Sequence, residues 1–130
     1  MNALQMMEFN DPRLGTFLDV TDATALDELE FGVIGFDAGT LVKVYNAYES
    51  RAAALAPSRV LDQPLFTMVA PCMNNFMVAH RFENACASGD MLDVTIDYVL
   101  TLRMRPTKVR LRLIATPMSP LRYVLVQRAI

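Results

Sequence analysis

The chain has 130 residues, 53% of them hydrophobic and 20% charged, with a formal net charge of −2. That length suits one domain with a core of its own, and the composition excludes an intrinsically disordered chain. No apolar run approaches the roughly 18 residues of a spanning helix, no basic-then-apolar leader opens the sequence, and two cysteines make no disulfide framework, so the expectation is a cytoplasmic protein without a membrane partner. In chain order, Asp11-Pro12 predicts a helix start, followed by Leu14, Phe17 and Leu18 at helical spacing. Asp22 caps a second short helix carrying Ala25, Leu26 and Leu29. Residues 30–36 read as a strand, Asp37–Gly39 as a turn, and Leu41–Tyr45 as the returning strand of a hairpin. Pro57 and Pro64 break residues 46–70 into short helices. Phe76–Ser88 reads as a longer helix with Val78, Ala79, Phe82, Ala85 and Cys86 on its apolar face, stopped by Gly89.

The remainder reads as β. Residues 91–104 form one long strand, and Arg105–Thr107 turn the chain. Residues 108–116 alternate, with Val109, Leu111 and Leu113 on one side and Lys108, Arg110 and Arg112 on the other. A final strand spans 122–129. The fold class is therefore α+β: a five-stranded antiparallel sheet with helices on one face and an N-terminal helical cap. Residues 1–29 form the cap and 30–130 the core, in a single domain. The element order is that of a PAS domain.

Charge is unevenly distributed. Residues 1–30 carry seven acids and one base, and residues 103–130 carry seven bases and no acid. No aromatic set interleaves the C-terminal arginines as a single-strand nucleic-acid binder requires, so mutual docking of the two ends explains the asymmetry better.

Few residues are candidates for chemistry. His80 falls on the polar phase of its helix, and no His/Cys/Asp grouping has metal spacing. Cys86 reads as plain core. Cys72 follows Val69-Ala70-Pro71 in a loop ahead of the long helix, where a thiol is either reachable or simply buried and inert. Tyr45 and Glu49 share a side if their stretch is helical. Their apolar surroundings raise a carboxyl pKa by desolvation, in a functional site or in an ordinary buried pair. An enzyme built on Cys72 lacks a positioned base.

Taken together, Glu30-Phe31-Gly32-Val33-Ile34, Val44-Tyr45-Asn46-Ala47-Tyr48-Glu49, Val69-Ala70-Pro71-Cys72, Ala87-Ser88-Gly89, Met104–Val109 and Tyr123–Arg128 resemble the photoactive yellow protein family. These are PAS-fold blue-light receptors carrying p-coumaric acid (4-hydroxycinnamic acid) as a cysteine thioester. The resemblance runs from about residue 10 to the C-terminus. Tyr45, Glu49 and Cys72 match the family spacing without a gap, and one residue is inserted between Gly89 and Met104. The resemblance implies a non-enzymatic photoreceptor with Cys72 as the attachment site. It implies that Tyr45 and Glu49 hydrogen-bond the phenolate oxygen, and that Ile34, Val69, Ala70, Pro71 and Met104 line the pocket. It further implies trans–cis photoisomerisation, proton transfer from Glu49, and signalling by release of the N-terminal cap to a downstream protein, from a monomer or weak homodimer. Departures fall in the tuning shell. Ala53 replaces a supporting threonine, Leu55 replaces a covering arginine, and Leu100 and Leu102 replace aromatics of the long strand. The competing expectation is a PAS-type sensory or interaction module that binds another small ligand or none.

Overall fold

The computed structural model describes residues 7–101 and 106–128. Short polar turns separate β-prone runs, and the runs assemble as one sheet. Strands β1 (Gly32–Phe36), β2 (Val42–Tyr45), β3 (Leu92–Leu100), β4 (Thr107–Ala115) and β5 (Arg122–Arg128) lie in the order β2-β1-β5-β4-β3, and every neighbouring pair is antiparallel. This is the PAS arrangement expected from the element order. The strands are shorter than their sequence patterns at several ends. β1 starts at Gly32 rather than at residue 30, and β3 ends at Leu100.

Both faces of the sheet are covered, so β1 and the second half of β4 are buried without alternation. On one face Val124 and Val126 of β5 pack with Ile34, Phe36, Leu65 and Phe82. On the other, Tyr123 and Leu125 pack with Val33, Ile114 and the N-terminal helices. Period-two geometry sends successive β5 side chains to opposite layers.

Helix α1 (Leu14–Val20) begins two residues later than Asp11-Pro12 suggests, because those residues form a preceding turn. The Asp11 side chain still caps that turn, accepting from the Arg13 N–H at 2.8 Å. Arg13 beside it holds the Asp11 carboxyl down at about 2. Helix α2 (Ala23–Leu26) is capped by Asp22 through the Ala25 N–H, as expected.

The sequence suggests a lightly packed cap held by exposed ion pairs. The structure corrects this: Phe9, Leu14, Leu18, Leu26 and Leu29 are all buried against the sheet. Arg112, only 5% exposed, fastens the cap directly. Its Nη1 donates to the carbonyls of Phe9 (2.9 Å) and Asp11 (2.7 Å), while Nε and Nη2 donate to Asp93 at 2.9 Å each. The charge asymmetry predicts Arg110 beside the cap as well, but it pairs instead with exposed Asp97.

Helix α3 (Ala47–Ala53) follows β2, and helix α4 (Ala79–Ser88) precedes β3. α4 starts three residues after Phe76, because the Asn75 side chain accepts the Met77 and Val78 N–H groups in a turn; Phe76 is exposed. Gly89 ends α4 with φ 71°, the left-handed stop anticipated from the sequence. Val78, Ala79, Phe82 and Ala85 are buried. Cys86 is not core: it lies exposed at the edge of the helix stripe, 3.8 Å from Arg122 Nη2. Among the described residues, no helix is long and apolar enough to cross a membrane.

Candidate functional site

Tyr45 is the last residue of β2, paired across β1 to Ile34. Asn46 then switches the chain from strand to helix. Its Oδ1 accepts from Val33 N–H (2.9 Å) and Glu49 N–H (3.2 Å), and its Nδ2 donates to the carbonyls of Leu26 and Phe31. One buried amide thus ties β1, the cap and α3 together, a role the sequence alone does not single out. Tyr45 and Glu49 therefore meet across a strand–helix corner rather than along one helix.

Glu49 is 2% exposed. It fits because position 32 is glycine: a Cβ there would overlap Glu49 Oε1. Its carboxyl group is gripped by Arg128, with Nη1 to Oε1 at 2.7 Å and Nη2 to Oε2 at 3.0 Å. Burial pushes the Glu49 pKa up, against the downward pull of that guanidinium. Burial and the neighbouring Glu49 charge both push the Tyr45 hydroxyl up, so at neutral pH it remains a proton donor. The sequence reading leaves Glu49 without a cationic partner; the structure supplies one. The signal was present in the alternation of β5, where Val124, Val126 and Arg128 share a face, and two of these face the same layer as Tyr45.

Cys72 sits on a single tight turn, Pro71–Met73, and is half-buried. Its carbonyl accepts hydrogen bonds from the Tyr98 hydroxyl and from Asn75 Nδ2, which anchors the turn on β3. A cavity of about 500 Å³ joins these parts. It is lined by Ile34, Tyr45, Glu49, Ala53, Leu55, Val69, Ala70, Pro71, Cys72, Met73 and Thr101. Nine of the residues singled out in the sequence thus face one space. Leu100 is fully buried in the adjacent core and is absent from the lining. Met104 and Leu102 lie outside the described residues. Met73, which departs from the family at the position after the cysteine, also lines the cavity, and Thr101 is an addition that no pattern marked. Ala53 and Leu55 contribute no hydroxyl and no charge, so their part of the wall is aliphatic.

The cavity brings together a thiol, a carboxyl–phenol pair and apolar walls. His80 is exposed beside Glu83, outside this space. Among the described residues, no group of three or more His, Cys, Asp or Glu side chains is placed to hold a metal ion.

No family model matches the chain. It is 31% identical over 111 residues to a photoactive yellow protein of Rhodothalassium salexigens, covering 85% of this chain and 87% of that one. The photoactive yellow protein domain of the sensor histidine kinase Ppr from Rhodospirillum centenum superposes with a TM-score of 0.79 at 30% identity, over 88% of this chain and 99% of that one. The PAS domain of the Cronobacter turicensis quorum-sensing receptor RpfR superposes with a TM-score of 0.60 at 12% identity, over 79% and 97% of the two chains, a likeness of fold alone.

Proposed function

This chain belongs to the photoactive yellow protein family of PAS photoreceptors, a sensory and non-enzymatic family, and from that membership we propose that it is a blue-light receptor carrying a p-coumaroyl thioester on Cys72. The observation that carries the reading is the single cavity that brings Cys72, Tyr45 and Glu49 together. The bound p-coumaroyl group supplies light absorption and trans–cis isomerisation. Everything else falls to the chain. Tyr45 donates its hydroxyl hydrogen to the phenolate oxygen, since a buried oxyanion is costly without donors. Glu49, whose pKa burial raises, donates a second hydrogen bond in its protonated form and is then the proton source after isomerisation. The aliphatic wall at Val69, Ala70, Ala53 and Leu55 excludes water and holds the ring.

The output is release of the N-terminal cap toward a signalling partner or linked domain. A photoactive yellow protein domain of a sensor histidine kinase is among the structural relatives, which supports that kind of output. The cap is buried against the sheet by five apolar side chains, so its release needs a specific trigger at the site.

Mixing the protein with p-coumaroyl anhydride tests the attachment. Cys72 Sγ attacks one carbonyl carbon, the thiol proton leaves with p-coumarate, and one thioester forms. The expected result is a single added p-coumaroyl mass on the peptide containing Cys72, retained in Cys86→Ala and absent in Cys72→Ala. Labelling that follows Cys86 would refute the assignment. No labelling at all would favour a PAS module that holds a different small ligand.

A further inference from the structure

Arg128 borders two spaces at once. One guanidinium edge meets Glu49, which lines the proposed pigment cavity. The same residue lines a second cavity of about 680 Å³ between the cap and the sheet, where Glu8, Glu28, Glu30 and Tyr48 also stand. We propose that Arg128 is a two-position coupling residue: it pairs with Glu49 when that carboxylate is charged and turns to the acidic lining of the cap cavity when Glu49 is neutral.

The argument is one of partners. A guanidinium stays charged at any ordinary pH, so Arg128 needs an anion in either state. Its side chain is 17% exposed against 2% for Glu49, which puts its free end at the boundary between pocket and cap. The titratable groups that bear on it in the structure are Glu49, Tyr48 and Tyr45; the three exposed carboxylates Glu8, Glu28 and Glu30 share the lining of the second cavity with it. Arg128 ends β5, and its long side chain has the staggered rotamers through which the exchange of partners would run. The light-driven arm rests on the function proposed above. There, Glu49 is neutral at rest and Arg128 holds the cap; once Glu49 has given up its proton, the arginine is drawn back to it and the cap loses a cation. The coupling itself needs no pigment. Arg128 acts here as a positioning residue, through Glu49 and the cap acids.

Hydrogen exchange of residues 7–11 in pigment-free protein tests it. Glu49→Gln removes the charge that holds Arg128 in the pocket, so cap exchange should slow by about two- to fivefold, the range of a partly exposed ion pair. Adding Arg128→Gln should abolish the slowing, and Arg128→Lys in its place should keep it. If Glu49→Gln does not fold, Glu49→Met, uncharged and of similar volume, replaces it in the same comparison. Cap exchange at the parent rate or faster in the Glu49 variant would overturn the proposal, as would slowing that persists without Arg128. Failure of the anhydride to label Cys72 would count against the photoreceptor reading and leave this comparison decisive for the coupling.

Discussion

Replacing Arg112 with methionine should lower the unfolding free energy by about 3 kcal/mol and detach the cap, because four charge-assisted hydrogen bonds disappear together. Arg112 reaches from β4 to the backbone of the cap and also to a carboxylate on β3. Methionine restores the apolar stem but leaves the carbonyls of Phe9 and Asp11 without their donor. It also leaves the Asp93 carboxylate without its cation. Asp93 is partly exposed and regains water, so the cost falls below that of a fully buried pair. Urea denaturation gives the stability change, and hydrogen exchange locates it. Exchange should accelerate most in residues 8–14 and least in β4 and β5. A loss under about 1 kcal/mol with unchanged cap exchange would mean that the apolar contacts of Leu14 and Leu18 alone seat the cap.

The second large effect concerns Glu49→Gln in the pigment-loaded protein. In the parent, blue light should raise cap exchange about two- to fivefold, the range of a partly exposed ion pair. In the variant that increase should vanish. The amide still donates a hydrogen bond to the phenolate, so the pigment stays bound with a shifted colour. It has no acidic proton to give and leaves no carboxylate behind, so nothing draws Arg128 away from the cap. Had Glu49 lacked a cation, its charging would have been an unpaired buried charge costing several kcal/mol. The bidentate contact with Arg128 makes the charge tolerable and moves the consequence to the arginine. Equal light-driven exchange in variant and parent would remove Glu49 from the trigger.

Local chemistry was legible in the sequence; long-range pairing was not. The hairpin around Asp37, the alternation in the first half of β4 and the Gly89 stop follow from turn chemistry and periodicity, and all three appear in the structure. The family resemblance, carried in part by Val69–Cys72 and Tyr45–Glu49, named nine residues that share one cavity. What spacing does not carry is which strand lies beside which. The sequence places Arg112 near the cap only as a weak, exposed pair and assigns Arg128 no partner. Each is buried to a different degree because β5 lies between β1 and β4, which puts Arg128 over Glu49 and Arg112 beneath the cap. Cys86 shows the opposite error. It fits the apolar stripe of α4 by spacing, but the stripe is narrower than the pattern, and the thiol falls at its exposed edge beside Arg122. The cap was read as weakly held because its acids are obvious and its buried side chains are spread over two short helices and the segments beside them.

An absorption spectrum of the p-coumaroyl-loaded protein, recorded before and after a pulse of blue light, tests the photoreceptor reading most directly. A long-wavelength band that depends on Cys72, falls on the pulse and returns in the dark is the predicted result. A loaded protein whose spectrum blue light leaves unchanged would contradict it.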